Sequence, residues 1–260
     1  MTLSARAIEE YLWKWGGVIL LLLGWEIGAR AGWLPVRYVS SPTAVAETFA
    51  YMLSKGDLVR DIGVTATELA IGMSLAIAIG IPLGLVAGWY RHVRYAVDPW
   101  LSALYATPTL GLLPLLVLWF GIGIRSTTAL VVLSAIFPIV INIMYGVHSV
   151  DVRLLRMARS FGAGQMRIFS TIVLPATVPY LVSGLQVGLA RGLIGVVIGE
   201  MYAARDGGLG YIIAVAGSSL DVNQMFVAVV LVTAAGIAMT GAIRSLEQYL
   251  QRWKPKPVSS

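Results

Sequence analysis

Arg156 to Pro175, RMARSFGAGQMRIFSTIVLP, is a polar, arginine-rich stretch set between two long apolar segments. Arg156, Arg159 and Arg167 alternate with Met157, Ala158, Ser160 and Phe161, and Gly162-Ala163-Gly164 divides the stretch into two short helical pieces. Extended to its flanks, from His148 to Thr177, it is a long loop at a membrane face, with Arg153 adding to its charge. The arginines alone follow from the excess of basic residues in cytoplasmic loops. Leu154, Leu155, Ala158, Phe161 and Ile168 do not follow from that rule, and they give the loop an apolar side able to enter a groove on a partner.

Of 260 residues, 58% are hydrophobic and 12% charged. The mean hydropathy is +0.80. Ordinary soluble domains carry roughly a quarter charged residues, so this is an integral membrane protein. A span takes about 20 apolar residues to cross about 30 Å of hydrocarbon, which admits at most about six or seven spans. Residues 1–260 are therefore read as a single transmembrane domain with no soluble domain. The net charge of +6 comes mostly from Lys and Arg in short loops beside apolar spans, which points to membrane topology and away from nucleic acid. With no cysteine there is no thiol chemistry or disulfide, and with only His92 and His148 no metal site is expected. The run Val18 to Leu23 followed by Ala29-Arg30-Ala31 imitates a cleaved leader, but Glu9, Glu10 and Glu26 argue against one.

Hydropathy places all-α spans near 13–31, 62–89, 100–120, 127–147, 177–200 and 224–245. An even number puts both termini on one side. The termini and the loops around Arg91 and Arg156 hold about twelve Lys and Arg, against about six on the other side, so both termini are expected in the cytoplasm. Segment 33–61 then lies outside, where Ser41 caps a surface helix that starts at Pro42, turns Val45, Phe49 and Met52 or Leu53 to one face and stops at Gly56. Asp98-Pro99 reads as a similar start signal for the third span.

Pro82, Pro108, Pro114 and Pro138 fall inside expected spans, each removing a backbone donor that lipid cannot replace. They mark either packed kinks or, in TPTLGLLP of the third span, a moving or hydrated pathway. Gly80, Gly84 and Gly88, and the stripe Gly184, Gly188, Gly192, Gly195 and Gly199, are small faces for close helix contact, expected within one subunit. Arg191 and Glu200 belong to the fifth span and, nine residues apart, lie on opposite sides of its helix. A central Arg costs at least about 2.5 to 3.5 kcal/mol in a membrane helix. Arg191 must therefore face protein or water, as a pathway group, or else as an interhelical lock or a snorkelling side chain. Glu200 is expected at the outer face, partly solvated and needing no buried partner. Gly207, Gly208 and Gly210 suggest a tight turn into a re-entrant or surface-lying helix.

Ala158, Gly162, Ile172, Leu174 and Pro175 fit the spacing E-A-A-x3-G-x9-I-x-L-P, the loop through which ABC importer permeases grip their ATPase. Further stretches, among them SPTAVAETF, WFGIG, FPIVIN, ARGLIGVVIGEM and GGLGYIIA, extend the likeness over essentially the whole chain, which resembles the nitrate, sulfonate and taurine branch of these permeases. That resemblance implies the six-helix fold of type I importers, a multi-pass inner-membrane location and a homodimer. It also implies two ABC ATPase subunits, an extracytoplasmic solute-binding protein and alternating access driven by ATP. ATP and Mg would be bound by the partner ATPase, since this chain has no G-x4-G-K-[ST] loop, and the chain itself would be non-catalytic, with no cofactor or metal. On the resemblance the coupling loop comprises Arg156, Met157, Ala158, Arg159, Ser160, Phe161, Gly162, Ala163, Arg167, Leu174 and Pro175. The candidate pathway residues are Pro108, Pro114, Arg191 and Glu200. The chain departs from the motif at its head, where Arg156 and Met157 replace the family's Glu and first Ala, so Arg156 must find another partner or be tucked away.

The solute implied is a small anion such as nitrate, a sulfonate or taurine, with bicarbonate or a heteroaromatic, vitamin-like compound as the alternative. Selectivity is expected largely in the binding protein. A membrane enzyme would need a motif such as H-E-x-x-H or G-x-S-x-G, which is absent, and a secondary carrier of inverted halves would show an internal repeat, which is not seen.

Overall fold

The structure, a computed structural model, describes residues 3–35, 38–205 and 207–250. Arg37, Asp206, Arg252, Lys254 and Lys256 lie outside these residues, as do the side chains of Arg6, Glu9, Glu10 and Lys14, so expectations resting on them stay with the sequence. The order of elements is α1 (Leu3–Arg30), α2 (Pro42–Lys55), α3 (Asp57–Trp89), α4 (Arg91–Ala106), a 3-10 turn (Thr109–Leu112), α5 (Leu113–Phe120) and α6 (Ile124–His148). There follow α7 (Val152–Ser160), α8 (Gln165–Ile168), a π turn (Phe169–Val173), α9 (Leu174–Ala203), α10 (Leu209–Ser218) and α11 (Val222–Leu250).

Among the described residues, four stretches are long and apolar enough to cross a membrane: Asp57–Trp89, Ile124–His148, Gln165–Ala203 and Val222–Ser245. The α4 to α5 pair stands where the third span was expected. At 28 residues α1 is also long enough to span, about 42 Å at 1.5 Å per residue, although Lys14, Glu26 and Arg30 dilute its apolar run.

Helix α6 lies between α3 and α9, and glycine lets it. A Cβ on Gly84 would sit 2.9 Å from the Val140 carbonyl oxygen, and one on Gly88 would sit 2.7 Å from Cβ of Val147. On the other flank, a Cβ on Gly188 would come within 2.9 Å of Ile139 and one on Gly199 within 2.7 Å of Thr127. Both glycine stripes therefore serve packing within the chain, letting backbones approach where lipid offers no hydrophobic drive to bring helices together. Leu69, Met73, Val131, Ile139, Ile143 and Val196 fill the space between the three helices.

At the other end of the bundle from α7, Ser41 caps α2 by accepting the Ala44 N–H at 3.2 Å, Pro42 occupies its first turn, and Gly56 ends it at φ +83. Val45 and Met52 face inward, while Phe49 and Leu53 stay exposed. Helix α1 is tied to this end by Glu26, which accepts from the Thr43 hydroxyl at 2.8 Å and its N–H at 3.1 Å, and by Trp25, whose Nε1 donates to the Ser40 carbonyl.

The third span departs from expectation. Asp98-Pro99 does not start it: α4 begins at Arg91 and runs through Pro99. The charged stretch 91–98 reads as loop by hydropathy, yet Val93, Val97 and Leu101 recur every four residues and pack on Ala87, Val140 and Met144. Helix α4 then ends because Thr107 precedes a proline and is held extended, at ψ 134. The chain bends by 86° between Arg91–Ala106 and Thr109–Phe120, the geometry of a broken span or of a re-entrant loop. Pro114 falls in the first turn of α5, where no intrahelical donor is lost. Only Pro82 and Pro138 interrupt α3 and α6 in the way the sequence suggested.

Candidate functional site

The loop quoted first folds as α7, a turn and α8. Asp151 opens α7, its carboxylate accepting the Arg153 N–H at 2.8 Å and pairing with the Arg153 guanidinium at 2.9 Å. These contacts hold the Asp151 carboxyl below the usual carboxylate range, the Arg153 side chain contributing most.

Helix α7 ends in a Schellman turn: Ala163 N–H donates to the Ala158 carbonyl at 3.0 Å, and Gly162 N–H to the Arg159 carbonyl at 2.9 Å. Gly162 sits at φ +77, where a side chain is strained. The A-x3-G spacing is therefore a helix-stop geometry, with Ala158 three residues inside the cap and Gly162 one beyond it.

The apolar residues of the loop divide into two faces and do not form one. Leu155, Ala158, Ala163 and Ile168 pack against Val147, Val150 and Val173 of the bundle and fix the loop to it. Leu154, Met157, Phe161 and Met166 point away, with Phe161 85% and Met166 77% exposed. Arg156, Arg159 and Arg167 surround them, also exposed, so Arg156 is not tucked away. The helix is continuous from Gln165, so the expected loop of 148–177 is shorter in the fold, and Thr177 is buried. Pro175 lacks an N–H and its ring would meet the Thr171 carbonyl in a regular helix. The π turn at Phe169–Val173, with Leu174 N–H bonded to the Phe169 carbonyl, widens the helix there.

Of the pathway candidates, the structure brings Pro108 and Arg191 together and leaves the other two apart. Pro108, Arg191, Tyr105, Ser134 and Phe137 border a cavity of about 300 Å³ at the break between α4 and α5. Pro114 does not reach it. Arg191 is exposed on the chain and makes no ion pair or hydrogen bond with any described residue.

Glu200 corrects the expectation of a partly solvated carboxylate: it is 1% exposed and its Oε2 accepts the Gly210 N–H at 2.7 Å. After Ala203 the chain turns back through Gly207 and Gly208, at φ +108 and +122, and α10 folds over it. Successive amides of this turn are held by side chains: Gly208 by Asp61 at 3.0 Å, Leu209 by Thr65 at 2.8 Å, Gly210 by Glu200. Sequence reasoning missed Thr65 and the buried Glu68 beside it, although polar residues one turn apart in an apolar span were the available signal. Tyr105 and Ser134 carried no such signal.

Apolar helices packed through glycine faces, an arginine-lined cavity at the α4 to α5 bend and an exposed capped turn at one end make up a membrane transport subunit of the type I ABC importer permease fold. The chain belongs to the family of binding-protein-dependent transport system inner membrane components, whose model matches residues 80–253. It is 27% identical over 248 residues to SsuC of Bacillus subtilis (strain 168), a permease protein named for aliphatic sulfonates transport, covering 95% of this chain and 90% of that one. It is 31% identical to the formylaminopyrimidine transport permease protein ThiX of Halalkalibacterium halodurans, covering 98% of this chain and all of that one. The fold matches a chain of the MetNI methionine ABC transporter in inward-facing conformations, with a TM-score of 0.66 at 20% identity, covering 74% of this chain and 95% of that chain.

Proposed function

We propose that this permease works as a homodimer with two ABC ATPase subunits and an extracytoplasmic solute-binding protein, both termini in the cytoplasm, and imports a small anion such as nitrate, a sulfonate or taurine. The turn at Ala158 and Gly162 carries the reading: anchored beneath by Ile168 and Leu155, it presents Met157, Phe161 and Met166 among arginines, as a rigid plug suited to a cleft on an ATPase. With Leu174 and Pro175 at the start of α9, movement of the plug passes directly into the helix that carries Arg191 and Glu200. ATP and Mg are bound by the partner, and this chain contributes no catalytic group.

The likeness to ThiX favours a second reading, in which the same fold carries a heteroaromatic solute. Co-expression with candidate ABC ATPases, purification in detergent and measurement of ATP hydrolysis test the assembly. A stable complex whose copurification is lost in Gly162→Asp or Ala158→Asp supports the coupling loop. A chain that purifies alone, and transports in vesicles without ATP, refutes it and makes a secondary carrier the better reading.

A further inference from the structure

The cavity at the α4 to α5 bend has a one-sided chemistry. Its polar side chains are Arg191, Ser134, Tyr105 and two threonines, and among the described residues no carboxylate borders it. The Thr107 hydroxyl is committed to the Ala103 carbonyl at 2.9 Å, and Thr109 leans on the Thr107 carbonyl at 3.4 Å. The Arg191 guanidinium and the Ser134 and Tyr105 hydroxyls make no hydrogen bond with any described residue. Three side chains with protons to donate thus face a space walled otherwise by Pro108, Leu110 and Phe137.

Location strengthens the case. Arg191 lies near the middle of a membrane span and is exposed on the chain, and an unpartnered guanidinium there cannot face hydrocarbon without heavy cost. Its face must meet water, a polar solute or polar groups of a second subunit, and the open cavity beside it favours the first two. A guanidinium fork matches a carboxylate or sulfonate with two parallel hydrogen bonds, geometry that a point charge lacks. A volume of about 300 Å³ is at the small end of ligand pockets.

We infer that this cavity is an oxyanion site within the permease, in which Arg191, assisted by Ser134 and Tyr105, receives the carboxylate or sulfonate of a small organic acid while Phe137 and Leu110 take its apolar body. The inference rests on the importer reading and goes beyond it, since it gives the permease a selectivity of its own, apart from the binding protein.

The natural absence of cysteine allows a direct test. In the purified complex with its ATPase, Ser134→Cys is labelled with sulfonatoethyl methanethiosulfonate, itself an ethanesulfonate, and with its trimethylammonium counterpart. With every rate taken relative to that of the same reagent with a free thiol, the anionic reagent should react about tenfold faster than the cationic one, because a positive cleft concentrates anions. Arg191→Gln should abolish the preference, Arg191→Lys should retain it, and ethanesulfonate should protect the thiol. Tyr105→Cys provides a second reporter at the rim. Equal rates for both reagents, a preference unchanged in Arg191→Gln, or no labelling at either position would overturn the site. Failure of the ATPase to copurify would strike the importer reading instead, and the labelling ratio on the chain purified alone would still decide for or against the oxyanion site.

Discussion

Ala158 and Ala163 are joined by a 3.0 Å backbone hydrogen bond that closes α7 around Gly162, and both side chains rest on the same apolar cluster as Ile168 and Val173. The bond makes the exposed turn rigid, while the shared cluster fixes it to the root of α9. On the proposed coupling role, a push at Phe161 would pass to the span through this cluster.

The first prediction concerns that turn. A Cβ at Gly162 would touch nothing within 4 Å, so Gly162→Ala strains only the backbone at φ +77, at about 1 to 2 kcal/mol. Solute imported per ATP hydrolysed should fall while expression is retained, and Gly162→Asn, which tolerates this conformation, should fall less. Equal losses in the two variants would show that the turn's geometry is not what matters.

Asp151 gives a pH dependence. Its folded value is depressed by Arg153, so the stabilisation is fully present above the ordinary carboxylate value of 3.8 and is lost as pH falls through the lower folded value. Hydrogen exchange at α7 amides should accelerate in that acid range. Asp151→Asn should keep the cap and remove the acid dependence, whereas Asp151→Ala should accelerate exchange at every pH.

For the fold of α10, Glu200→Leu removes the acceptor of a buried amide and should destabilise the protein by about 1 to 3 kcal/mol. Glu200→Gln keeps an acceptor for Gly210 and should lie nearer the wild type. Melting temperatures in detergent check the order. Gly210→Ala should be more damaging than either, because its Cβ would lie 2.2 Å from the Val197 carbonyl oxygen.

Helix contact in the bundle can be tested with two glycines of α3. Gly84→Ala forces a Cβ against the Val140 carbonyl and Ile143, costing about 1 to 3 kcal/mol. Gly63→Ala meets nothing within 4 Å and should be neutral or stabilising by up to about 1 kcal/mol. Melting temperature should fall in Gly84→Ala and be unchanged or raised in Gly63→Ala.

Hydropathy, glycine spacing and the loop motif were legible because each is written locally. Apolar runs demand a membrane, Ser41-Pro42 and Gly56 bound a helix through contacts a few residues apart, and Ala158 to Gly162 closes a turn on itself. The third span was misread for a local reason as well: Val93 and Val97 make an amphipathic helix whose charges average away its apolar face. Glu200 was misread for the opposite reason, since its burial depends on a chain reversal at Gly207 and Gly208.

That this chain lives in a membrane, which loop stands out from it and which residues shape that loop's turn are all set by neighbours along the chain, because solvation and backbone geometry act locally. Only the tertiary structure decided that Pro108 meets Arg191 at a cavity while Pro114 does not, that α6 runs between two glycine faces, and that Asp61, Thr65 and Glu200 share the start of α10. Those relations join residues as many as 147 positions apart, and no local preference encodes which buried donor will find which acceptor once the helices have packed.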